Sequence, residues 1–211
     1  LHLMIGSEGT LGVITELTLK LIPNPKEDIS FILPFADIDA AISAVPKIKL
    51  AGLSPQSIEF MERDIVDSSA NYTGNKIIPT VIDGKEAGAY ILVTLDGNDQ
   101  DEIFQRAETL AEIGDEIGAY DTLVLSHPAD KRAVWEARSA FLTVIEAETD
   151  LIDEMDVVVP VDKIPTFLEY AHEIGDKYEV CIRSFGHAGD GNLHIYCCAN
   201  DMDEAVFLER S

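Results

Sequence analysis

Near its C-terminal end the chain runs Val180-Cys181-Ile182-Arg183-Ser184-Phe185, then Gly186-His187-Ala188-Gly189-Asp190-Gly191-Asn192-Leu193-His194, then Ile195-Tyr196-Cys197-Cys198-Ala199. Two apolar runs separated by an Asp-Gly pair are a strong local signal for a β-hairpin, because the turn needs φ > 0 at both central residues. A hairpin commits this end of the chain to antiparallel sheet. If Asp190 and Gly191 form a two-residue loop, His187 faces His194, with Cβ atoms about 4.5–5.5 Å apart on one face. Imidazoles so opposed can chelate one divalent cation, with Zn, Fe or Mn suited to neutral nitrogen donors. A three-residue loop would break that pairing and leave a Gly-rich turn whose histidines only pack or meet solvent.

Upstream of the hairpin, strands and helices alternate. Pro23, Asn24 and Pro25 punctuate the chain and mark a domain boundary, with residues 1–22 on one side and 23–211 on the other. After it, strands are expected at Ile29–Phe35, Ser57–Phe60, Ala89–Leu95, Tyr120–Ser126 and Met155–Val159. Helices are expected at Ala36–Ala51 (kinked or shortened at Pro46), Arg63–Ala70, Asn98–Ile117, Pro128–Glu148, Lys163–Tyr178 and Asp201–Arg210. A loop rich in Asn, Thr, Gly and Pro fills Asn71–Glu86. The order predicts an α+β fold of split βαβ units, ferredoxin-like, with helices on one face of a largely antiparallel sheet.

The chain opens on Gly6-Ser7-Glu8-Gly9-Thr10-Leu11-Gly12 followed by alternation from Val13 to Leu21. That alternation predicts a strand, which excludes the dinucleotide fingerprint, since the latter needs a helix starting at the glycines. By itself the segment is either a ligand-contacting loop or a plain turn.

Helical spacing from Ala129 places Val134, Ala137, Phe141, Leu142 and Ile145 on one face, with Arg138 inside the apolar stripe. A cation there must be paired or line a cavity. It is either a planar fork for a substrate carboxylate, a snorkelling side chain, or one half of an ion pair, for which Asp153, Glu154 and Asp156 are near in sequence.

A net charge of −24 with only 15 basic residues argues against nucleic acid as a partner. The N-terminal residues lack the features of a signal peptide, and no run approaches the about 18 apolar residues of a membrane span. Membrane association is therefore not indicated. Cys181, Cys197 and Cys198 are an odd set on strands, which fits small apolar fillers in a reducing, cytoplasmic setting. Cys197 is expected to point away from His194, with Cys198 too far along the strand to join it.

The Gly-Ser-Glu-Gly-Thr-Leu-Gly-Val-Ile-Thr-Glu run from Gly6 and the Gly-His-Ala-Gly-Asp-Gly-Asn-Leu-His run from Gly186 together resemble the FAD-linked oxidases of the vanillyl-alcohol oxidase type, in their glycolate oxidase D-subunit and D-lactate dehydrogenase branch. Ala51-Gly52-Leu53-Ser54-Pro55, Ile58-Glu59-Phe60-Met61, Trp135-Glu136-Ala137-Arg138 and Asp156-Val157-Val158-Val159-Pro160 fit the same family. The resemblance implies that residues 1–22 are the end of an FAD domain and 23–211 a substrate (cap) domain cut short at its C-terminus. It implies FAD contacts at Gly6, Ser7, Glu8, Gly9, Thr10, Gly12 and Val13, a divalent metal on His187 and His194, and Arg138 on the substrate carboxylate. It places a third metal ligand and a catalytic His in a Glu-His-Gly segment downstream of Ser211. The implied activity is oxidation of D-lactate or glycolate to the 2-oxo acid with hydride passing to FAD, an electron-acceptor protein being a further possible partner. The present chain alone would then be inactive. Family members acting on D-2-hydroxyglutarate carry a Thr and a Lys where this chain has Leu142 and Glu154, which favours a substrate with one carboxylate. The alternative is a metal-binding or interaction domain without redox activity.

Overall fold

A computed structural model describes residues 2–211. In its first strand, β1 (Glu27–Phe35), every residue from Ile29 onward is buried, so the strand is covered on both faces. The same holds for most of β5 (Ala89–Gly97). Two-sided burial requires helices above and below the sheet, and the chain supplies them. The helices are α1 (Ile38–Leu50), α2 (Arg63–Thr73), α3 (Gln100–Ile117), α4 (Pro128–Ser139), α5 (Phe141–Glu148), α6 (Ile164–Tyr178) and α7 (Glu204–Arg210). The remaining strands are β2 (Ser57–Glu62), the ribbon of β3 (Val81–Ile82) and β4 (Lys85–Glu86), then β6 (Leu123–Leu125), β7 (Leu151–Val158), β8 (Cys181–His187) and β9 (Asn192–Ala199).

Seven strands form one antiparallel sheet in the order β6-β1-β5-β2-β8-β9-β7. The fold class is α+β, and the split βαβ units are evident. β1 and β2, joined through α1, flank the antiparallel β5; β7 and β8, joined through α6, flank the antiparallel β9. The helices are not confined to one face. Phe31, Leu33, Ile91 and Val93 pack with Ile42 and Ile48 of α1, Leu110 of α3 and Leu168 of α6. On the other face Ile32, Met61, Tyr90, Leu92, Phe185 and Tyr196 pack with Ile65 of α2, Val134 of α4 and Phe141 of α5. The expected one-sided arrangement fails because the strand interiors are apolar on both faces, and each face must be covered.

Three further differences have local causes. The strand expected over Val13–Leu21 is absent: residues 12–25 carry no regular structure, and Val13, Leu17, Leu19 and Leu21 are exposed. Alternation alone does not make a strand without an edge to satisfy its N–H and C=O groups. The single helix expected from Pro128 to Glu148 is interrupted at Ala140, leaving Leu142 on the surface. The loop from Asn71 to Glu86 contains the short β3–β4 ribbon.

Candidate active site

Alternation along β2, β8 and β9 sends Glu59, His187 and His194 to the same face of the sheet, the one covered by α2, α4 and α5. The hairpin loop is not the two-residue turn expected. His187 pairs with Asn192 and His194 with Phe185, and Ala188, Gly189, Asp190 and Gly191 form the connection. The carbonyl of His187 accepts from the N–H groups of Asp190 and Gly191 at 3.2 and 3.1 Å. Gly191 has φ +85°, and a Cβ there would lie 2.1 Å from the carbonyl oxygen of Val159, the residue just after β7, so only glycine fits. Because the register differs by an even step, the two histidines remain on one face as diagonal neighbours. Their ring centroids are 5.4 Å apart with an 81° interplanar angle.

His187 is held from one side. Its Nδ1 lies 2.9 Å from Oε1 of Glu59, whose side chain is 5 % exposed, while the imidazole itself is 45 % exposed. The other oxygen of Glu59, Oε2, accepts from Nη2 of Arg138 at 3.0 Å, and the Arg138 side chain is 10 % exposed. Its guanidinium carbon sits 4.5 Å from the centroid of Phe185 and 5.5 Å from that of Phe141. Burial presses the guanidinium pKa downward, opposed by the charge and hydrogen bond of Glu59. Arg138 therefore does lie in the apolar stripe of its helix, but its partner is Glu59 rather than Asp153, Glu154 or Asp156. Nε of Arg138 is buried without a hydrogen-bond partner.

Beyond the histidines the face opens. Nδ1 of His194 is 3.6 Å from Asp156 of β7, and burial, with His187 and Arg138 adding to it, keeps the His194 pKa below its usual value against the pull of Asp156. Tyr196 donates to Glu154 at 2.9 Å, and burial together with that bond raises its pKa. A cleft of about 450 Å³ adjoins His187 and is bordered by Lys49, Ser57, Glu59, Gly189 and Asp190. Cys197 packs in a separate cluster with Val180 and Phe207, away from the histidine face, while Cys198 lies on that face with Phe185 and Tyr196.

Two imidazoles sharing one cation at about 2.1 Å with a tetrahedral angle would have centroids about 5 Å apart, so the observed spacing suits a shared metal. With Nδ1 of His187 taken by Glu59, its Nε2 is the nitrogen left for a metal. Among the described residues, no group of three His, Cys, Asp or Glu side chains is gathered for a metal. The N-terminal loop is a turn closed by Ser7 and Thr10, with the Thr10 N–H donating to the Ser7 carbonyl at 2.9 Å. Gly6 and Gly9 have φ of +74° and +76° and nothing within 4 Å of their Cβ positions, leaving backbone that a large ligand can approach. Glu8 also adopts positive φ, and Gly12 and Val13 follow in exposed chain without regular structure.

Glu59 was not identified from the sequence as a functional residue. The signal was there: a carboxylate between Ile58 and Phe60 in a strand otherwise suited to burial.

Comparison with known proteins gives a consistent picture. Residues 24–207 match the family described as FAD linked oxidases, C-terminal domain. The chain is 48% identical over 210 residues to a D-lactate dehydrogenase from Anaerostipes hadrus, covering 100% of this chain and 44% of that protein. It is 31% identical over 215 residues to the glycolate oxidase subunit GlcD of Bacillus subtilis (strain 168), again covering 100% and 44%. The chain thus spans less than half the length of these curated relatives. Among solved structures, an alkyldihydroxyacetonephosphate synthase superposes with a TM-score of 0.65 at 16% identity, over 99% of this chain and 42% of that one. A p-cresol methylhydroxylase with substrate bound superposes with a TM-score of 0.61 at 13% identity, over 90% and 43%. At those identities the likeness concerns the fold.

Proposed function

The chain belongs to the FAD-linked oxidases, whose C-terminal domain it carries, and from that premise we propose that the whole protein oxidises D-lactate or glycolate to the 2-oxo acid. The observation that carries the reading is the placement of Arg138 beside the His187–His194 pair on one face of the sheet, with a carboxylate joining them. A small 2-hydroxy acid presents a carboxylate and a neighbouring hydroxyl, and this face offers a cation for the first and two imidazoles for the second.

In this reading the guanidinium edge not engaged by Glu59 orients the substrate carboxylate, and His187 and His194 hold a divalent metal through their free nitrogens. Such a metal supplies Lewis acidity that lowers the hydroxyl pKa, and FAD supplies the acceptor for the Cα hydride. The chain's own contribution is positioning. Phe185 and Phe141 keep water from the guanidinium, and Glu59 prevents His187 from turning. The alcohol loses one hydride and one proton; the base that takes the proton is not assigned to this chain. The FAD contact is proposed for Gly6, Ser7, Glu8, Gly9, Thr10, Gly12 and Val13, whose open turn fits the approach of a large ligand. Glu154, engaged by Tyr196, puts negative charge on the face where a second substrate carboxylate would come, so dicarboxylic 2-hydroxy acids are disfavoured.

The test is anaerobic mixing of the full-length flavoprotein with D-lactate, glycolate, L-lactate and D-2-hydroxyglutarate, following flavin absorbance. Bleaching by D-lactate or glycolate, weakened in His187→Ala and His194→Ala, is the expected result. A full-length protein that purifies colourless and binds only metal would instead support a metal-binding or interaction domain without redox activity.

A further inference from the structure

We propose that Glu59 is a positioning residue that fixes the tautomer of His187, and this rests on the reading of His187 as a metal-holding side chain. The carboxylate divides its oxygens between two different groups, Oε2 to Nη2 of Arg138 at 3.0 Å and Oε1 to Nδ1 of His187 at 2.9 Å. A carboxylate only accepts and a guanidinium only donates, so the Arg138 contact holds one oxygen in place and the other accepts a hydrogen bond from Nδ1–H. In the neutral ring the lone pair is then on Nε2, the edge directed away from Glu59. An arginine buried for structural reasons needs its counter-ion alone. Here the same counter-ion also sets which nitrogen of the neighbouring imidazole can donate electrons, and its own burial leaves it little freedom to do otherwise.

The arrangement has an unusual consequence for substitution. In Glu59→Gln the side-chain oxygen must turn to Arg138, because the guanidinium cannot accept a hydrogen bond. The amide NH₂ is then presented to Nδ1 of His187, which selects the opposite tautomer and puts a proton on Nε2. Removing the arginine as well frees the amide to turn, so Glu59→Gln combined with Arg138→Met lets the side-chain oxygen face Nδ1–H again and the original tautomer return.

The experiment uses full-length protein labelled with ¹⁵N-histidine and freed of metal, with the tautomer of His187 read from two-bond ¹⁵N–¹H correlations. Zn²⁺ and Mn²⁺ affinities are measured calorimetrically alongside. The expected results are Nδ1–H in the parent protein, Nε2–H in Glu59→Gln with metal affinity lowered about 10–100-fold, and recovery of both in the double variant. Nε2–H in the parent protein overturns the proposal without recourse to any variant, as does an unchanged tautomer in Glu59→Gln. If the tautomers behave as expected while His187→Ala leaves metal affinity unchanged, the positioning role stands and the metal reading of the histidine pair fails.

Discussion

Arg138 shows how one contact changes what a substitution means. A cavity-lining guanidinium could be replaced with little effect on folding, but Glu59 makes Arg138 half of a buried pair. Arg138→Met should therefore cost about 3–5 kcal/mol of stability, since it leaves a buried carboxylate without its cation. Arg138→Lys keeps the charge and should unfold near the parent temperature, yet a point charge cannot reproduce the planar fork. If Arg138 orients the substrate, Arg138→Lys lowers kcat/KM of the full-length enzyme about a hundredfold. Thermal midpoints and kcat/KM measured together separate the two roles, and normal kinetics in Arg138→Lys would remove Arg138 from the site. The arginine and both histidines were legible in the sequence because each is chemically conspicuous in its setting. Glu59 was not, because its significance lies in partners 79 and 128 residues away, and strand periodicity carries no information about which strands become neighbours.

At the level of elements, α6 is tied to the sheet by a polar contact unrelated to the candidate site. Its His172 lies 3.1 Å from Oε2 of the buried Glu62 in β2, which also accepts from the hydroxyl of Ser184 in β8. The hydrogen bond to Glu62 raises the His172 pKa, with Asp64 and Asp176 adding to it and burial opposing it. A raised folded-state value means that this contribution is complete below the unfolded pKa of about 6.5 and is lost as pH rises through the higher folded one. The thermal midpoint should thus fall between pH 6 and 8, and His172→Gln should flatten that slope; an identical slope in the variant would show that His172 is not responsible. Element types were largely readable from periodicity and from Pro and Gly placement. The interruption at Ala140 was not, because Arg138-Ser139-Ala140-Phe141 contains no residue that breaks a helix on its own account. The four-residue hairpin connection escaped for the opposite reason: with Gly189 and Gly191 both present, several turn lengths were open.

For the whole molecule, the sheet is two split βαβ units joined edge to edge between β2 and β8, and the candidate site straddles that joint. Glu59 comes from one unit and both histidines from the other, so the site exists only once the units have met. The flavin contact proposed for this chain is confined by comparison to the turn around Gly6–Val13. The 211-residue chain by itself should accordingly purify without stoichiometric FAD, and a yellow preparation with one flavin per chain would show that the cofactor contact is larger than proposed. The stretch from Val13 to Leu21 has a consequence of its own. Its leucines face solvent and its backbone has no ladder to join, which is the condition under which chains exchange strands with one another and lose colloidal stability. A net charge of −24 keeps copies apart at low ionic strength, and added salt screens that repulsion. Light scattering from the isolated chain should therefore rise with salt and protein concentration, whereas a version beginning at Pro23 should stay monodisperse under the same conditions.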